Sequence, residues 1–236
     1  MNMKTRTSKA LKRTEAGASV SLLTVLLACA PVKNTTGQEQ PKAATATPAP
    51  ATPAGMVRYD ASPTGSKMLI EGTSSIHDWK MESVLIGGYL EADPKFPESA
   101  LSAAAAAKPV VTVYMPVRSF KSGNSTMDKR MQKEMKEEQF KRIEYKLIEL
   151  KPKSAAGATG PLKFDAVGAL TVAGKTRTNT MPVTIEKLAD GKLKVTGSTP
   201  VKMTDYGIPP PTTLGLFVSG DDVTLKFEWL AAPKAP

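Results

Sequence analysis

The sequence predicts an all-β protein, a sandwich or barrel of about eight antiparallel strands with one short amphipathic helix. Three observations carry this reading. Short apolar runs recur between residues 68 and 229 with turn signals between them, the last run alternates strictly, and a single segment breaks the pattern with helical spacing.

Residues 68–72 open the series and residues 79–90 follow, with Gly87 and Gly88 marking a bulge or sharp bend where the sheet curls. Residues 110–117, 143–150, 164–172 and 178–188 supply the third to sixth strands. The seventh, 192–201, comes after Ala189-Asp190-Gly191, and Asp-Gly between two strand-like runs is the strongest local hairpin signal. The eighth, 223–229, sets Val223, Leu225, Phe227 and Trp229 on one face. Eight strands suffice for a barrel that holds one small ligand, and Gly72, Gly87, Gly88, Gly168 and Gly174 near the strands leave room or bends, which favours a hollow interior.

The helical segment is 125–140. Ser125 and Asp128 are spaced as a capping box, Met127, Met131 and Met135 fall at i, i+4, i+8, and Lys129, Lys133 and Lys136 point to solvent. Methionines at that spacing are core residues, and their unbranched side chains also adapt to irregular apolar partners. Residues 103–107 predict a further helical turn stopped by Pro109. The stretch 200–219 is long for a connection, yet Met203, Tyr206, Ile208, Leu214, Leu216 and Phe217 are too apolar for a solvated loop, so it reads as a kinked strand edge or a rim or gate segment.

The first quarter of the chain is different. Five basic residues, Lys4, Arg6, Lys9, Lys12 and Arg13, precede a short apolar run over 18–30, the layout of a secretory signal over residues 1–28. The run is short for a membrane span, which needs about 20 apolar residues. It ends in Leu26-Leu27-Ala28-Cys29, which resembles the lipobox of bacterial lipoproteins, where cleavage precedes a cysteine that is then acylated. Cys29 is the only cysteine, so no intrachain disulfide is available. Residues 29–55, rich in Pro, Ala and Thr, cannot bury enough area to offset chain entropy and read as a disordered tether ahead of one domain, 56–232. Removing residues 1–28 takes five basic residues and one acid, so the net charge falls from +10 to +6. The remaining bases alternate with acids and form no stacking array, which argues against a nucleic-acid partner.

Enzymatic chemistry finds little support. His77, the only histidine, adjoins Asp78 in a strand-like run, where neighbours point to opposite faces, and no Gly-x-Ser-x-Gly elbow occurs. One histidine and one cysteine fall short of a zinc or iron set. No catalytic residue, metal or cofactor is expected, and His77 reads as a hydrogen-bonded residue of the barrel wall.

Four blocks, Gly72-Thr-Ser-Ser-Ile-His-Asp-Trp79, Ser122-Gly-Asn-Ser-Thr-Met-Asp-Lys-Arg-Met131, Gly168-Ala-Leu-Thr-Val-Ala-Gly-Lys175 and Met203-Thr-Asp-Tyr-Gly-Ile-Pro-Pro-Pro211, resemble the YceI-like family of bacterial envelope proteins. The resemblance spans about residues 59–230. It implies an extended antiparallel lipocalin-like barrel whose interior holds a long apolar chain such as a polyisoprenoid, with a histidine near position 77 facing the cavity. The ligand-contact candidates are then His77, Trp79, Met127, Met131, Met135, Tyr206 and Trp229, chosen by block membership and size. Ala30 after the cysteine, by resemblance to Gram-negative lipoproteins, implies retention at the outer membrane, on its periplasmic face. The expectation is an exported, lipid-anchored, non-enzymatic protein that binds, carries or sequesters an isoprenoid or similar amphiphile. The alternative is a solid barrel acting as a structural or interaction module.

Overall fold

Residues 55–102, 108–213 and 217–234 are described by the computed structural model. The expected signal, Cys29, the tether as far as residue 54 and the turn at 103–107 lie outside the described residues. The strands are β1 (Val57–Ala61), β2 (Lys67–Ser74), β3 (Trp79–Ser83), β4 (Gly87–Ala92), β5 (Val110–Pro116), β6 (Arg142–Pro152), β7 (Leu162–Val172), β8 (Lys175–Lys187), β9 (Leu193–Lys202), β10 (Thr212–Thr213) and β11 (Phe217–Pro233), with helix α1 at Ser125–Glu134.

The sheet runs β1-β4-β5-β6-β7-β8-β9-β11 and returns to β1, which closes an antiparallel barrel. Along one edge of β11, β1 and β2 lie end to end: Ala61 is paired with Ala231 and Lys67 with Glu228. On their far side β4 pairs β1 and β3 pairs β2. Counting each of these broken strands once gives the eight staves, and closure leaves few open edges. Alternation is clearest in β7, where Leu162, Phe164, Ala166, Gly168, Leu170 and Val172 are buried while the intervening residues are not. Leu162, Leu193, Phe96 and Ala231 seal the barrel end at which β1 begins.

All eight expected runs are strands, and the differences have local causes. The 79–90 run is broken at residues 84–86, and the bend at Gly88 is real: its φ is 124°, and a Cβ there would run into the Thr112 carbonyl oxygen. Strand β1 was not legible because only Tyr59 of its five residues is buried. The last strand extends well beyond 223–229. The Asp190-Gly191 turn joins β8 to β9 as expected, with Gly191 at φ 80°.

The end opposite the seal is less regular. Strands β8 and β9 pair only from Val183 with Gly197 to Lys187 with Leu193, because Pro182 offers no N–H to continue the ladder. Past this point β9 stays with β11 and the segment 203–211 packs along β8 instead. On the other flank, beyond β2, β3 has only an isolated bridge from Glu82 to Lys121, and α1 follows it. Two irregular pieces, α1 and 203–211, therefore cover this end of the barrel.

The expected helix is shorter than 125–140 and is capped differently. Asn124, not Ser125, is the N-cap, accepting from the Thr126 and Met127 backbone N–H groups. Asp128 accepts instead from the backbone N–H and hydroxyl of Ser122. The helix ends at Glu134, and Lys136 takes the left-handed conformation with φ 52°.

Candidate ligand-binding cavity

Inside the irregular end lies a cavity of about 480 Å³, within the roughly 300–1,000 Å³ of sites that enclose drug-sized ligands. Its floor and walls are Met68, Ile70 and Met81, with Ile143, Leu170, Val172, Val201, Val223 and Leu225. Polar groups gather at the mouth: Ser74, His77, Asn124, Thr126, Arg130, Glu134 and Ser219. A second cavity of about 100 Å³ lies deeper, and Met68, Leu170 and Leu225 line both. These three side chains stand where the two chambers meet, at the neck that a chain reaching both would have to pass. From Val223, on the upper chamber, to Trp229, on the lower, is six residues of β11, about 20 Å.

Six of the seven candidates picked from the sequence, His77, Trp79, Met127, Met131, Met135 and Tyr206, line the larger cavity, and Trp229 lines the deeper one. Among the methionines, Met135 is buried, while Met127 and Met131 are half-buried against the cavity. Tyr206 is buried, and its hydroxyl accepts from Asn179 Nδ2 at 2.9 Å; burial raises its pKa. Asp128, which anchors the start of α1, is held below the usual carboxylate range by the Ser122 hydroxyl and N–H, with Lys121 adding to the effect. Arg130 Nη2 donates to the Thr212 carbonyl at 2.7 Å, so α1 and the β10 segment are tied together across the mouth.

His77 departs from its expected place. It lies in the loop between β2 and β3, exposed, rather than in a strand of the wall. Its Nδ1 is 3.5 Å from Ser74 Oγ, but that hydroxyl donates to the His77 carbonyl at 2.7 Å, so its proton is already committed. Among the described residues no group of three or more His, Cys, Asp or Glu side chains could hold a metal ion.

The glycines near the strands do not open the interior. Gly72, Gly168 and Gly197 face inward, but the space above them is taken by the rings of Trp79, Tyr145 and Phe227, with which any added Cβ would collide. Gly87 and Gly174 are likewise covered, by Tyr114 and Phe140. These glycines let aromatic rings lie flat on the sheet, and the hollow comes from elsewhere: from the two ladder gaps that α1 and 203–211 cover. Sequence reasoning missed Tyr145 altogether. It lines the deep cavity, its buried hydroxyl and the Trp229 indole N–H have no hydrogen-bond partner among the described residues, and burial pushes its phenol up to about 12.

An eight-strand antiparallel barrel with an apolar interior and a polar mouth defines the chain as a member of the hollow-barrel class. The model of the YceI-like domain matches residues 62–231, and the chain belongs to that family. Among solved structures, Burkholderia cenocepacia BcnA is similar with a TM-score of 0.56 and 19% identity, over 71% of this chain and 96% of that one. A polyisoprenoid binding domain from Saccharophagus degradans implicated in plant cell wall breakdown is similar with a TM-score of 0.57 and 12% identity, over 75% of this chain and 99% of that one. No curated protein sequence matches the chain.

Proposed function

We propose that the domain binds, carries or sequesters an isoprenoid or similar long-chain amphiphile, with the chain in the two-chambered interior and the head at the mouth, and performs no chemical step on it. The observation that carries this reading is the apolar lining of two cavities, of about 480 Å³ and 100 Å³, that share Met68, Leu170 and Leu225 as wall residues. Burying hydrocarbon there removes area from water at about 25 cal/mol per Å² with no polar contact required. Membership of the YceI-like family and the polyisoprenoid binding named for the Saccharophagus neighbour support the choice of ligand class.

The location proposed for it is the periplasmic face of the envelope, anchored at the outer membrane through acylated Cys29 and held off by the 29–55 tether, on the sequence grounds given above. Intact mass of membrane-extracted protein tests this: an acylated Cys29 terminus is expected, and an unmodified Cys29 or a terminus elsewhere overturns it. Binding is tested by tryptophan fluorescence with prenyl and alkyl amphiphiles of increasing length. Affinity should rise about fourfold for each added buried methylene and then level off as the interior fills. Trp79 sits in the upper chamber and Trp229 in the lower, so in Trp79→Phe only long chains should perturb the remaining emission. No response at either tryptophan across the series would shift the reading to a solid interaction module.

A further inference from the structure

A chain that fits this interior is carried by membranes rather than by water, so the surface around the mouth has to meet its source; this step rests on the binding function proposed above. The rim is apolar where it projects furthest. Ile76, 61% exposed in the β2–β3 loop, and Val218, 49% exposed near the start of β11, are neighbours, their segments joined by hydrogen bonds from the Ser75 N–H to the Val218 carbonyl and from the Val218 N–H to Ser75 Oγ. Ile76 also lines the cavity, so the exposed patch runs without a break into the interior.

Next to this patch, α1 and the turn after it expose Lys129, Lys133 and Lys136. Of the acids here, Asp128 is buried on Ser122, Glu134 lines the cavity mouth and Glu138 is exposed in the turn after the helix, so the three exposed lysines outnumber the acids beside them. Asp78, in the same loop as Ile76, and Asp205 are exposed as well, outside α1, which leaves the α1 flank as the cationic side. Apolar side chains beside a row of lysines suit an anionic bilayer, whose headgroups attract the cations while the acyl boundary takes the apolar residues.

We propose that the mouth is a docking surface for an anionic phospholipid bilayer, with Ile76 and Val218 inserting and the α1 lysines resting on the headgroups. The test uses residues 29–236 with Cys29→Ser, so that no acyl group contributes; the barrel closes entirely within residues 57–233, and nothing of it is removed. Co-sedimentation is measured with phosphatidylcholine vesicles with and without phosphatidylglycerol. Binding should be stronger on the anionic vesicles and should weaken with salt. Lys129→Gln with Lys133→Gln should lower it roughly thirtyfold on anionic vesicles, and Val218→Asp should lower it on both kinds. All three substitutions lie outside the cavity lining, so uptake of a short-chain amphiphile added from solution should be unchanged. Wild-type protein that stays in the supernatant with both vesicles, or variants that sediment as well as wild type, would overturn the docking surface and leave the binding function standing. Vesicle binding without uptake of any amphiphile would do the reverse.

Discussion

Tyr145 and Gly168 show how much of the interior is decided by single residues on facing strands. The ring lies on the glycine, so Gly168→Ala must push it into the deep chamber. Overpacking of this kind costs about 1–3 kcal/mol, and a denaturant titration together with the chain-length series should show both the loss and weaker binding of long chains. The Tyr145 hydroxyl is buried without a partner among the described residues, so Tyr145→Phe removes a desolvated group and no hydrogen bond seen there. That variant should be as stable as wild type, or more stable by about 1 kcal/mol; a clear loss in the same titration would mean that the hydroxyl is paired. Because burial favours the neutral phenol and raises its pKa to about 12, its contribution is complete below the ordinary tyrosine range and is lost as pH rises toward that value, which ultraviolet difference titration can follow. None of this was legible in the sequence, where a glycine under a ring looks the same as a glycine beside a void. The placement of His77 was equally hidden, since Ser74 turns the chain out of β2 three residues earlier through its hydrogen bonds to His77.

Helix α1 was legible as an element because its methionine spacing is strong, but its ends depend on tertiary partners. Asp128 looks like a capping residue in sequence and serves the Ser122 loop in the structure, and the helix stops at a left-handed lysine rather than at a glycine. The methionines are not equivalent. Met135 is packed into the core, and Met135→Asp should cost several kcal/mol by leaving a carboxylate buried. Met131 borders a cavity open at the mouth, and Met131→Asp should cost markedly less while weakening ligand uptake; equal melting losses for the two variants would contradict this division. Both carboxylates that fasten the helix region, Asp128 to the Ser122 hydroxyl and Glu137 to the Arg118 guanidinium, have lowered pKa values. Their contribution is present above the ordinary carboxylate range and is lost as pH falls through the lowered values. Hydrogen exchange should therefore show α1 loosening before the β7–β8 ladder as the solution is acidified, and simultaneous loss of protection would tell against local fastening.

At the scale of the whole molecule, the barrel was readable because its wall obeys period-two alternation from β7 to β11, and the blocks around positions 72, 122, 168 and 203 all map to the cavity or its covers. The hollow was not readable, because it arises where ladders stop, at Pro182 and beyond β3, and no local pattern records what a missing pairing leaves open. The mouth and the start of β1 lie at opposite ends: Ser74 and Ser219 border the mouth, whereas Val57 pairs with Ala92 and Tyr59 with Pro233. Whether one long apolar chain occupies both chambers is decided by native mass spectrometry with lipid extraction. Protein purified from its host, or offered prenyl and alkyl amphiphiles in excess, should carry one such molecule per domain. Leu225→Trp, which fills the neck, should carry none of the long chains while staying folded. A folded wild-type domain that holds nothing as purified and takes up no member of the series would contradict the account.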